Sequence, residues 1–394
     1  MDFFWEKNDW ETLDLHLSSL KQAPFQRPTP AVSLSDPGVS LIRGPRQVGK
    51  STWLKLLLSQ HVTEAGGKSC FFHTCEDLVD HQDLTALIQS QLPARRFFFL
   101  DEITFVDEWW RSIKKFVDTR KDLHFILTGS NSFDLRKGLD AMPGRWSQSA
   151  GELQLSPMLF QEWSEMIQQA GWSQSDRVTQ LRRYMRIGGF PSALMEAGPE
   201  YQMPRRAMQS CLRWILGDVA KLGRQELFMK ELLLQIIKSM GSSMSLQTLA
   251  QKTQLMSYHT AQDYLSVLEH SFALRTLYAY DPDTDSFRFK KEKKFYFTDP
   301  LFFWMVADLA GLDSTSLEVE EKLAEMIVAE ELCRRYPRLG YYSTSRHGEV
   351  DFISCRDLAV EVKWAPAVAN LSKAFKDLKV AEKKVWSQQN LLMA

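Results

Sequence analysis

A short segment near residue 50 has the residue types and the spacing of a loop that binds phosphate groups. It reads G-x-x-x-x-G-K-S-T and comprises Gly44, Pro45, Arg46, Gln47, Val48, Gly49, Lys50, Ser51 and Thr52. In such a loop, glycines let backbone N–H groups converge on phosphate oxygens, the lysine reaches the terminal phosphates, and the following hydroxyl binds magnesium. We therefore predict that the segment binds ATP, with Lys50 at the terminal phosphates and Ser51 at Mg²⁺.

The residues on either side of the loop support this interpretation. Residues 39–42 form a β-prone run, and residues 52–58 place leucines at helical spacing. The loop would then lie at the N-terminus of a helix, where anions are stabilised. This strand-loop-helix setting favours a phosphate-binding loop over a glycine-containing surface turn.

Two acidic residues follow a second apolar run. Residues 97–100 are apolar throughout, as in a central strand that is buried on both faces. Asp101 ends this run and is predicted to bind Mg²⁺, and Glu102 is predicted to polarise the attacking water. The alternative is that the two acids cap the next helix.

A third run, residues 124–128, ends in small polar side chains. Thr128 closes the run, and Ser130 and Asn131 follow it. Such groups can sense the γ-phosphate or orient water, and a simple polar turn is the alternative.

A second group of candidate catalytic residues lies near the C-terminus, where Asp351 precedes Glu361 and Lys363. Residues two apart on a strand face the same side, so Glu361 and Lys363 should point together. Two acids beside a lysine can bind a divalent ion and orient a water for attack on a phosphodiester. The alternative is a half-exposed strand whose charges serve solubility.

The composition is that of an ordinary globular protein with two or three domains. The chain has 394 residues, of which 44% are hydrophobic and 25% charged, and its net charge is −1. Binding of nucleic acid therefore needs a local basic face. The five cysteines lack metal-site spacing and are predicted to be buried or half-buried thiols of a cytoplasmic protein. Neither a secretory signal nor a long apolar run is present, so we expect no membrane association.

The elements that position these residues follow from the hydrophobic pattern. Short apolar runs alternate with helical stretches up to about residue 163, which predicts an α/β domain with a parallel sheet and helices on both faces. Helical periodicity follows, then three helices with a hairpin over residues 275–297, then mixed structure. The predicted segments are an N-terminal helical entry (1–35), an ATPase domain (36–165), a helical lid (166–228), a winged helix (229–305) and a small α/β domain (306–394). The entry should contain one helix, roughly Trp10 to Leu20. Further predicted strands are residues 69–73 and 152–155 in the ATPase domain and residues 340–343, 350–354 and 358–363 in the last domain.

The predicted winged helix offers candidate contacts to nucleic acid. The wing carries clustered cations, namely Arg288, Lys290, Lys291, Lys293 and Lys294. The start of the predicted recognition helix carries Ser257, Tyr258, His259, Thr260 and Gln262. Cations could neutralise phosphates while the helix meets base edges. The alternatives are a protein-docking module and a merely solvated charge run.

Several segments, taken in order, resemble a known family. The chain contains "GPRQVGKS", "FLDEITFVDEWWRSIKKF", "ILTGSNS", "MPGRW", "LQLSPMLFQEW" and "IGGFPSAL". This order resembles prokaryotic AAA-plus-like ATPases, often grouped as archaeal-type ATPases, that carry a winged helix and a C-terminal nuclease-like domain. The resemblance implies that Asp101 binds magnesium, that Glu102 is the catalytic base, and that the Ser130–Asn131 region is the sensor.

The same resemblance leaves two arginines with open roles. Arg145, in "PGRW", matches a recurrent family position and would contact phosphate or a neighbouring subunit, or else pin its own loop. Arg186, just before two glycines, would act as a sensor from the helical lid.

The C-terminal residues resemble the PD-(D/E)xK nucleases, with Val350 in place of the usual proline before Asp351. This resemblance implies a small restriction-endonuclease-like domain in which Glu361 and Lys363 complete the motif. It also implies an additional acid, Glu325, on the preceding helix. Asp351, Glu361 and Glu325 would then bind a metal ion, and both cleavage and a non-cutting scaffold remain open.

Two hypotheses for function follow. The first is a Mg²⁺-dependent ATPase whose cycle rearranges the later domains and acts on nucleic acid, DNA rather than RNA, with possible cleavage. The second is a nucleotide-controlled switch that binds a partner protein and cuts nothing. The oligomeric state stays open in both, and a homo-oligomer is possible.

Overall fold

The structure is a computed structural model that describes residues 4–7, 10–30, 32–130, 132–255, 257–312, 316–344, 348–364 and 371–388. The chain forms two compact units, Met1–Ser156 and Pro157–Ala394. The sequence predicts five segments, and the second unit contains the last three of them together with the end of the second.

The first unit contains a parallel sheet of five strands within the described residues. The strands are β1 (Gly38–Arg43), β2 (Cys70–Thr74), β3 (Phe97–Asp101), β4 (His124–Gly129) and β5 (Glu152–Gln154). Their order is β2-β3-β4-β1-β5, and every pairing is parallel. All five lie within a residue or two of the predicted runs. The central strands β1, β3 and β4 are largely buried, as expected of strands covered on both faces, whereas β5 at the edge is mostly exposed.

The helices of the first unit connect these strands and precede them. They are α1 (Trp10–Leu13), α2 (Leu15–Lys21), α3 (Lys50–Ala65), α4 (His81–Gln91), α5 (Trp109–Thr119) and α6 (Ser132–Ala141). The sequence predicts one helix from Trp10 to Leu20, and this detail is wrong. Asp14 divides it, since its side chain accepts a hydrogen bond from the Leu17 N–H and begins a new helix.

The topology of the sheet sets the place of the candidate site. In a parallel sheet the carboxyl ends of all strands meet at one edge, and ligands bind there. β1 and β3 both pair with β4. The segments that follow these three strands therefore lie side by side.

The second unit begins with a helical region. Its helices are α7 (Phe160–Gln169), α8 (Arg177–Ile187), α9 (Pro191–Ala197), α10 (Arg205–Lys221), α11 (Glu226–Ser239), α12 (Leu246–Gln251), α13 (Tyr258–His270), α14 (Pro300–Leu309), α15 (Leu317–Arg335) and α16 (Lys373–Asp377). The predicted end of the ATPase domain, residue 165, falls inside α7. α7 belongs to the second unit because Phe160 and Trp163 pack against Tyr184 of α8.

One mixed sheet closes the second unit. Its strands are β6 (Leu274–Asp281), β7 (Ser286–Phe297), β8 (Gly340–Thr344), β9 (Gly348–Ser354), β10 (Leu358–Lys363) and β11 (Glu382–Ser387), in the order β11-β10-β9-β8-β6-β7. The sequence predicts the hairpin and β8 to β10 but not β11. It also separates the hairpin from the C-terminal domain at residue 305, whereas β6 pairs with β8 in the same sheet.

A buried helix and a buried carboxylate organise the helical region. Residues 300–307 of α14 are all buried, as expected of a helix that is apolar on every side. Asp299 caps this helix, and its carboxylate also accepts the Gly189 N–H at 2.8 Å. Gly188 has φ +85°, and a Cβ there would lie 2.1 Å from Asp299 Oδ1. A glycine is therefore required where α8 ends beside this carboxylate.

Two further expectations concern the whole chain. Of the five free cysteines, four are buried and Cys333 is half-buried, which confirms their predicted burial. Across the described part of the chain, no helix combines the length and the apolar character needed to span a bilayer.

Candidate functional site

The predicted phosphate loop lies between β1 and α3, as the motif requires. β1 ends at Arg43, and α3 begins at Lys50 with Gly49 as its N-cap. Residues 44–49 thus lead directly to the N-terminus of a 16-residue helix, whose free N–H groups favour anions. Gly44 must lack a side chain, because a Cβ there would lie 1.9 Å from the carbonyl oxygen of Leu155.

Lys50 is buried and weakly paired. Its side chain is 3% exposed, and its Nζ donates to the Pro45 carbonyl at 2.9 Å. The nearest carboxylate, Glu102, has an oxygen 3.6 Å from the same nitrogen. Burial lowers the pKa of Lys50, although the carboxylates of Glu102 and Asp101 oppose the shift. An ammonium held mainly by a loop carbonyl can exchange that contact for a phosphate oxygen.

Three polar side chains connect the ends of β3 and β4. The Thr128 hydroxyl donates to Asp101 Oδ1 at 2.5 Å and accepts the Glu102 N–H at 2.8 Å. Asp101 is 5% exposed, and it ends β3 at the edge of the sheet where the phosphate loop follows β1. Thr128 therefore holds both acids in position. In the sequence, the only signal for this role is the position of Thr128 at the end of an apolar strand.

Glu102 combines an unusual backbone with an oriented side chain. Its φ is 51°, in the left-handed region that non-glycine residues seldom adopt. Its Oε2 accepts a hydrogen bond from Ser130 at 2.9 Å, while Oε1 faces Lys50. Such backbone strain persists where surrounding contacts impose it, and it concentrates at functional sites.

Most of the other residues predicted for this site lie in the phosphate loop or in the first turn of α3. Ser51 and Thr52 lie in the first turn of α3, and Arg46, Gln47 and Val48 form the loop before it. Asn131 lies outside the described residues. One contact was not predicted: His16 of α2 is 2.6 Å from the hydroxyl of Thr52, measured from ring Nε2.

Arg145, predicted either to contact phosphate or a neighbouring subunit or to pin its own loop, lies at the end of β1 opposite the phosphate loop. The Arg145 carbonyl accepts the Val39 N–H, at the beginning of β1, whereas the phosphate loop follows the end of β1. The guanidinium makes two hydrogen bonds to Asp118 of α5, at 2.7 and 2.9 Å. These bonds raise the pKa of Arg145 and favour the alternative in which it pins its own loop.

Arg186 lies on α8 in the second unit, as predicted, and is exposed. It lines a pocket of about 300 Å³ together with Arg183 and Glu320. A role as a lid sensor stays a prediction.

The predicted C-terminal residues come together on neighbouring strands. Lys363 Nζ lies 2.9 Å from Glu361 Oε2, so these two side chains point together as the strand alternation predicts. Asp351 Oδ2 accepts the Val362 N–H at 2.8 Å across the β9–β10 pair. Glu325, on α15, accepts a hydrogen bond from the Tyr296 hydroxyl at 2.5 Å. Burial raises the pKa of Glu325 to about 7.

The structure also corrects the role predicted for Lys294. This residue is not a surface cation of a wing, because it is 0% exposed. Its Nζ lies 2.5 Å from Glu349, 3.4 Å from Glu325 and 3.7 Å from Asp351, measured to carboxylate oxygens. Burial disfavours the ammonium, but the three carboxylates outweigh it and hold the pKa of Lys294 above its ordinary value. Neither Lys294 nor Glu349 was recognised in the sequence as part of this cluster.

The predicted metal ligands of this cluster do not form a ready site. In the residues that the structure describes, no three His, Cys, Asp or Glu side chains are grouped so that they could hold a metal ion. The ammonium of Lys294 instead lies between the carboxylates of Glu325, Glu349 and Asp351.

The remaining basic residues of the hairpin divide into three kinds. Arg288 pairs with Asp281 at 2.6 Å. Lys293 is 8% exposed, and its Nζ donates to the carbonyls of Phe289 and Lys291. Lys290 and Lys291 are exposed, in a bulge of β7 between the residues paired with Ala279 and Tyr278. Lys290 and Lys291 thus present their charge outward, whereas Arg288, which is also exposed, shares its charge with Asp281.

The start of α13 presents a similar division. Ser257 caps the helix and accepts the Thr260 N–H, so these hydroxyls serve the helix itself. Tyr258 is 48% exposed, and its ring lies 3.9 Å from the His259 ring. With exposed Gln262, these two rings form the outward surface of the helix start.

Comparison with known families gives a match for each unit. Residues 178–312 match a family model described as a domain of unknown function. Residues 36–164 match a family model described as an AAA domain. The nucleotide segment thus resembles AAA domains. The match includes the phosphate loop, both acids after β3 and the polar residues after β4, so the matched segment contains all three parts of the candidate nucleotide site.

Individual relatives are distant. An uncharacterized protein of Haemophilus influenzae is 28% identical over 260 residues, which cover 62% of this chain and 63% of that protein. The chain therefore spans less than two thirds of that relative.

The similar solved structures are more distant still. A Walker-type ATPase of Pyrococcus abyssi is 15% identical with a TM-score of 0.45, covering 76% of this chain and 95% of that one. The ORC1 protein of Aeropyrum pernix in complex with DNA is 14% identical with a TM-score of 0.35, covering 76% and 89%.

Proposed function

We propose that the protein is a Mg²⁺-dependent ATPase whose AAA-like domain binds and hydrolyses ATP. The observation that carries the proposal is the position of Lys50. Its buried ammonium lies at the N-terminus of α3, 3.6 Å from Glu102 and hydrogen-bonded to a loop carbonyl. A cation held so weakly in a buried position is expected where an anionic ligand completes its environment.

The residues of this edge suit the attack of water on a terminal phosphate. Ser130 holds Glu102 Oε2, so that the carboxylate is oriented before substrate binds. Glu102 would accept a proton as the water oxygen bonds to the γ-phosphorus and the bond to the β-bridging oxygen breaks. Lys50 and the N–H groups of α3 would stabilise the charge that builds on the phosphate oxygens.

The donor set also fits a nucleotide-bound Mg²⁺. Such an ion takes most of its ligands from phosphates and water, and needs only one or two groups from the protein. Asp101 provides a buried carboxylate held by Thr128, and Ser51 provides a hydroxyl in the first turn of α3. When bound, Mg²⁺ would neutralise charge on the phosphate oxygens.

The test is steady-state ATP turnover by three variants of the full chain. Lys50→Ala and Glu102→Gln should each lower turnover by about 100-fold or more, because each removes a group that acts in the transition state. Lys68→Ala, an exposed lysine of the same unit, is the matched control and should turn over normally. Undiminished turnover in both site variants would refute the ATPase mechanism.

We propose nucleic acid, with DNA favoured, as the partner of the second unit. The support is the bulge of β7, where Lys290 and Lys291 are exposed and Phe289 is 66% exposed. Exposed cations beside an aromatic ring suit phosphates and bases. Stimulation of ATP turnover by duplex DNA would support this partner.

The rival proposal is a nucleotide-controlled switch that binds a protein and cuts nothing. It is favoured by the ion pairs of Lys294, which engage the acids that a nuclease would use for metal. ATP turnover that is unaffected by DNA, with no Mg²⁺- or Mn²⁺-dependent nicking, would favour the switch. Nicking that is lost in Asp351→Ala and Lys363→Ala would exclude it.

A further inference from the structure

The ammonium of Lys294 lies among three carboxylates, two of which, Glu325 and Asp351, are predicted metal ligands. Carboxylate oxygens of Glu349, Glu325 and Asp351 surround it at 2.5, 3.4 and 3.7 Å. Mg²⁺ and Ca²⁺ require oxygen ligands at roughly 2.0–2.6 Å, and these carboxylates are the ones within reach. An ion placed among them would also meet the repulsion of a buried positive charge a few ångströms away.

Carboxylate oxygens of the cluster also accept hydrogen bonds from donors other than Lys294. Asp351 Oδ2 accepts the Val362 N–H, and Glu325 Oε1, the oxygen that lies near Lys294, also accepts the Tyr296 hydroxyl. Glu361 receives Ser372 Oγ at 3.0 Å on one oxygen and Lys363 Nζ at 2.9 Å on the other. A metal ion would have to compete with these donors as well as with Lys294.

The backbone of β7 keeps Lys294 in place. It pairs with Leu277 of β6, in the last part of β7 where residues 293–297 are all buried. Its Nζ lies 5.7 Å from the centre of the Tyr341 ring. Removing the ammonium from the cluster would require opening packed structure, unlike the swing of a surface lysine.

We propose that Lys294 is a permanent internal counter-ion that replaces a divalent cation among Glu325, Glu349 and Asp351, so that these carboxylates hold the sheet together and do not support metal-dependent cleavage. One ammonium then joins β7, β9 and α15, in addition to the β6–β8 pairing that makes the hairpin and the C-terminal strands one sheet. The proposal is independent of the ATPase proposal, since it involves no residue of the first unit.

Binding of Mn²⁺ to the full chain, followed by electron paramagnetic resonance without nucleotide, tests this proposal. The variants are Lys294→Met, Asp351→Asn, and the double substitution, with Lys252→Met, at an exposed lysine of the same unit, as the control. The wild-type chain and Lys252→Met should bind no Mn²⁺ that depends on Asp351. Lys294→Met should gain one bound Mn²⁺ per chain, and the double variant should lose it.

Two results would overturn the proposal. One is a wild-type Mn²⁺ site that Asp351→Asn abolishes, and the other is a folded Lys294→Met chain that gains no site. Lys294→Met alone could fail to fold. Thermal unfolding of the wild-type chain with and without millimolar Mn²⁺ therefore provides a second, independent test. An unchanged Tm supports the internal counter-ion, and a Tm that rises in wild type but not in Asp351→Asn contradicts it.

Discussion

Each unit of the molecule contains a buried lysine next to carboxylates, and the two lysines are held in opposite ways. Lys50 is bonded to the Pro45 carbonyl, and its only nearby carboxylate oxygen in the described residues is 3.6 Å away. Lys294 has a carboxylate oxygen at 2.5 Å and two more within 3.7 Å. The pKa of Lys50 is lowered and that of Lys294 is raised.

The difference distinguishes the proposed anion-binding site of Lys50 from the ion cluster of Lys294. Both sites follow recognisable motifs, and both combine acids with a lysine. The buried charge of Lys50 is poorly compensated, so it can still attract an anion. The charge of Lys294 is instead compensated by three carboxylates of the protein itself. Residues that match a catalytic motif therefore indicate a catalytic or binding function only where their existing contacts within the protein leave room for a ligand.

The largest expected effect compares the same substitution at the two lysines. Lys294→Met should lower the free energy of unfolding by about 3–5 kcal/mol, because it leaves buried carboxylates without their cation. Lys50→Met should change it by about 1 kcal/mol or less, or raise it, because a binding residue is retained at the expense of stability. Urea unfolding at pH 7 without nucleotide measures both. Equal losses of stability in the two variants would contradict the proposed difference between the two lysines.

A buried anion in the second unit extends the comparison. Asp299 is 1% exposed and is held by backbone N–H groups, and burial raises its pKa to about 7. Gly188→Ala should cost about 2–4 kcal/mol, since its Cβ would meet this carboxylate at a positive φ. Gly217→Ala, in α10 with open space at the Cβ position, is the control and should be neutral or slightly stabilising. A harmless Gly188→Ala would mean that the carboxylate is not locked there.

A smaller effect concerns how the first site is positioned. Thr128→Val keeps the shape but removes the hydroxyl shared by Asp101 and the Glu102 N–H. We expect ATP turnover to fall by about 10-fold, together with a stability loss of about 1–2 kcal/mol for the unpaired groups. Thr119→Val, on an exposed position of α5, serves as the control. Normal turnover in Thr128→Val would show that the acids are positioned without this bridge.

The smallest effect concerns the exposed bulge. Replacing Lys290 and Lys291 together by alanine should weaken duplex DNA binding a few-fold at moderate salt and reduce the slope of log K against log salt by about 2. Lys252→Ala, an exposed lysine of the same unit, should leave the slope unchanged. An unaltered slope in the double variant would exclude the bulge as a phosphate contact.

Local patterns were sufficient to predict much of the first unit. The short runs give β1 to β5 within a residue or two, and the loop motif gives the start of α3. Burial on both faces leaves a clear signal in the central strands, and the loop motif marks the helix N-terminus. Contacts between residues that are distant in the sequence leave no such local signal. The role of Arg145 depends on Asp118, and the role of Thr128 depends on Asp101 in another strand.

The C-terminal cluster shows the same limit more sharply. Strand alternation correctly pairs Glu361 with Lys363. Lys294, read as part of a basic run, is buried because the second half of β7 is covered while the first half is exposed. Its alternation with Tyr296, which also contacts Glu325, is the pattern that could have revealed its inward direction.

Calorimetric titration with Mg·ATP tests the central claim most directly. We expect the wild-type chain to bind one nucleotide, Lys294→Met to bind it with similar affinity, and Lys50→Met to lose most of the binding heat. A wild-type chain that gives no heat, or a Lys50→Met chain that binds Mg·ATP as tightly as wild type, would contradict the account.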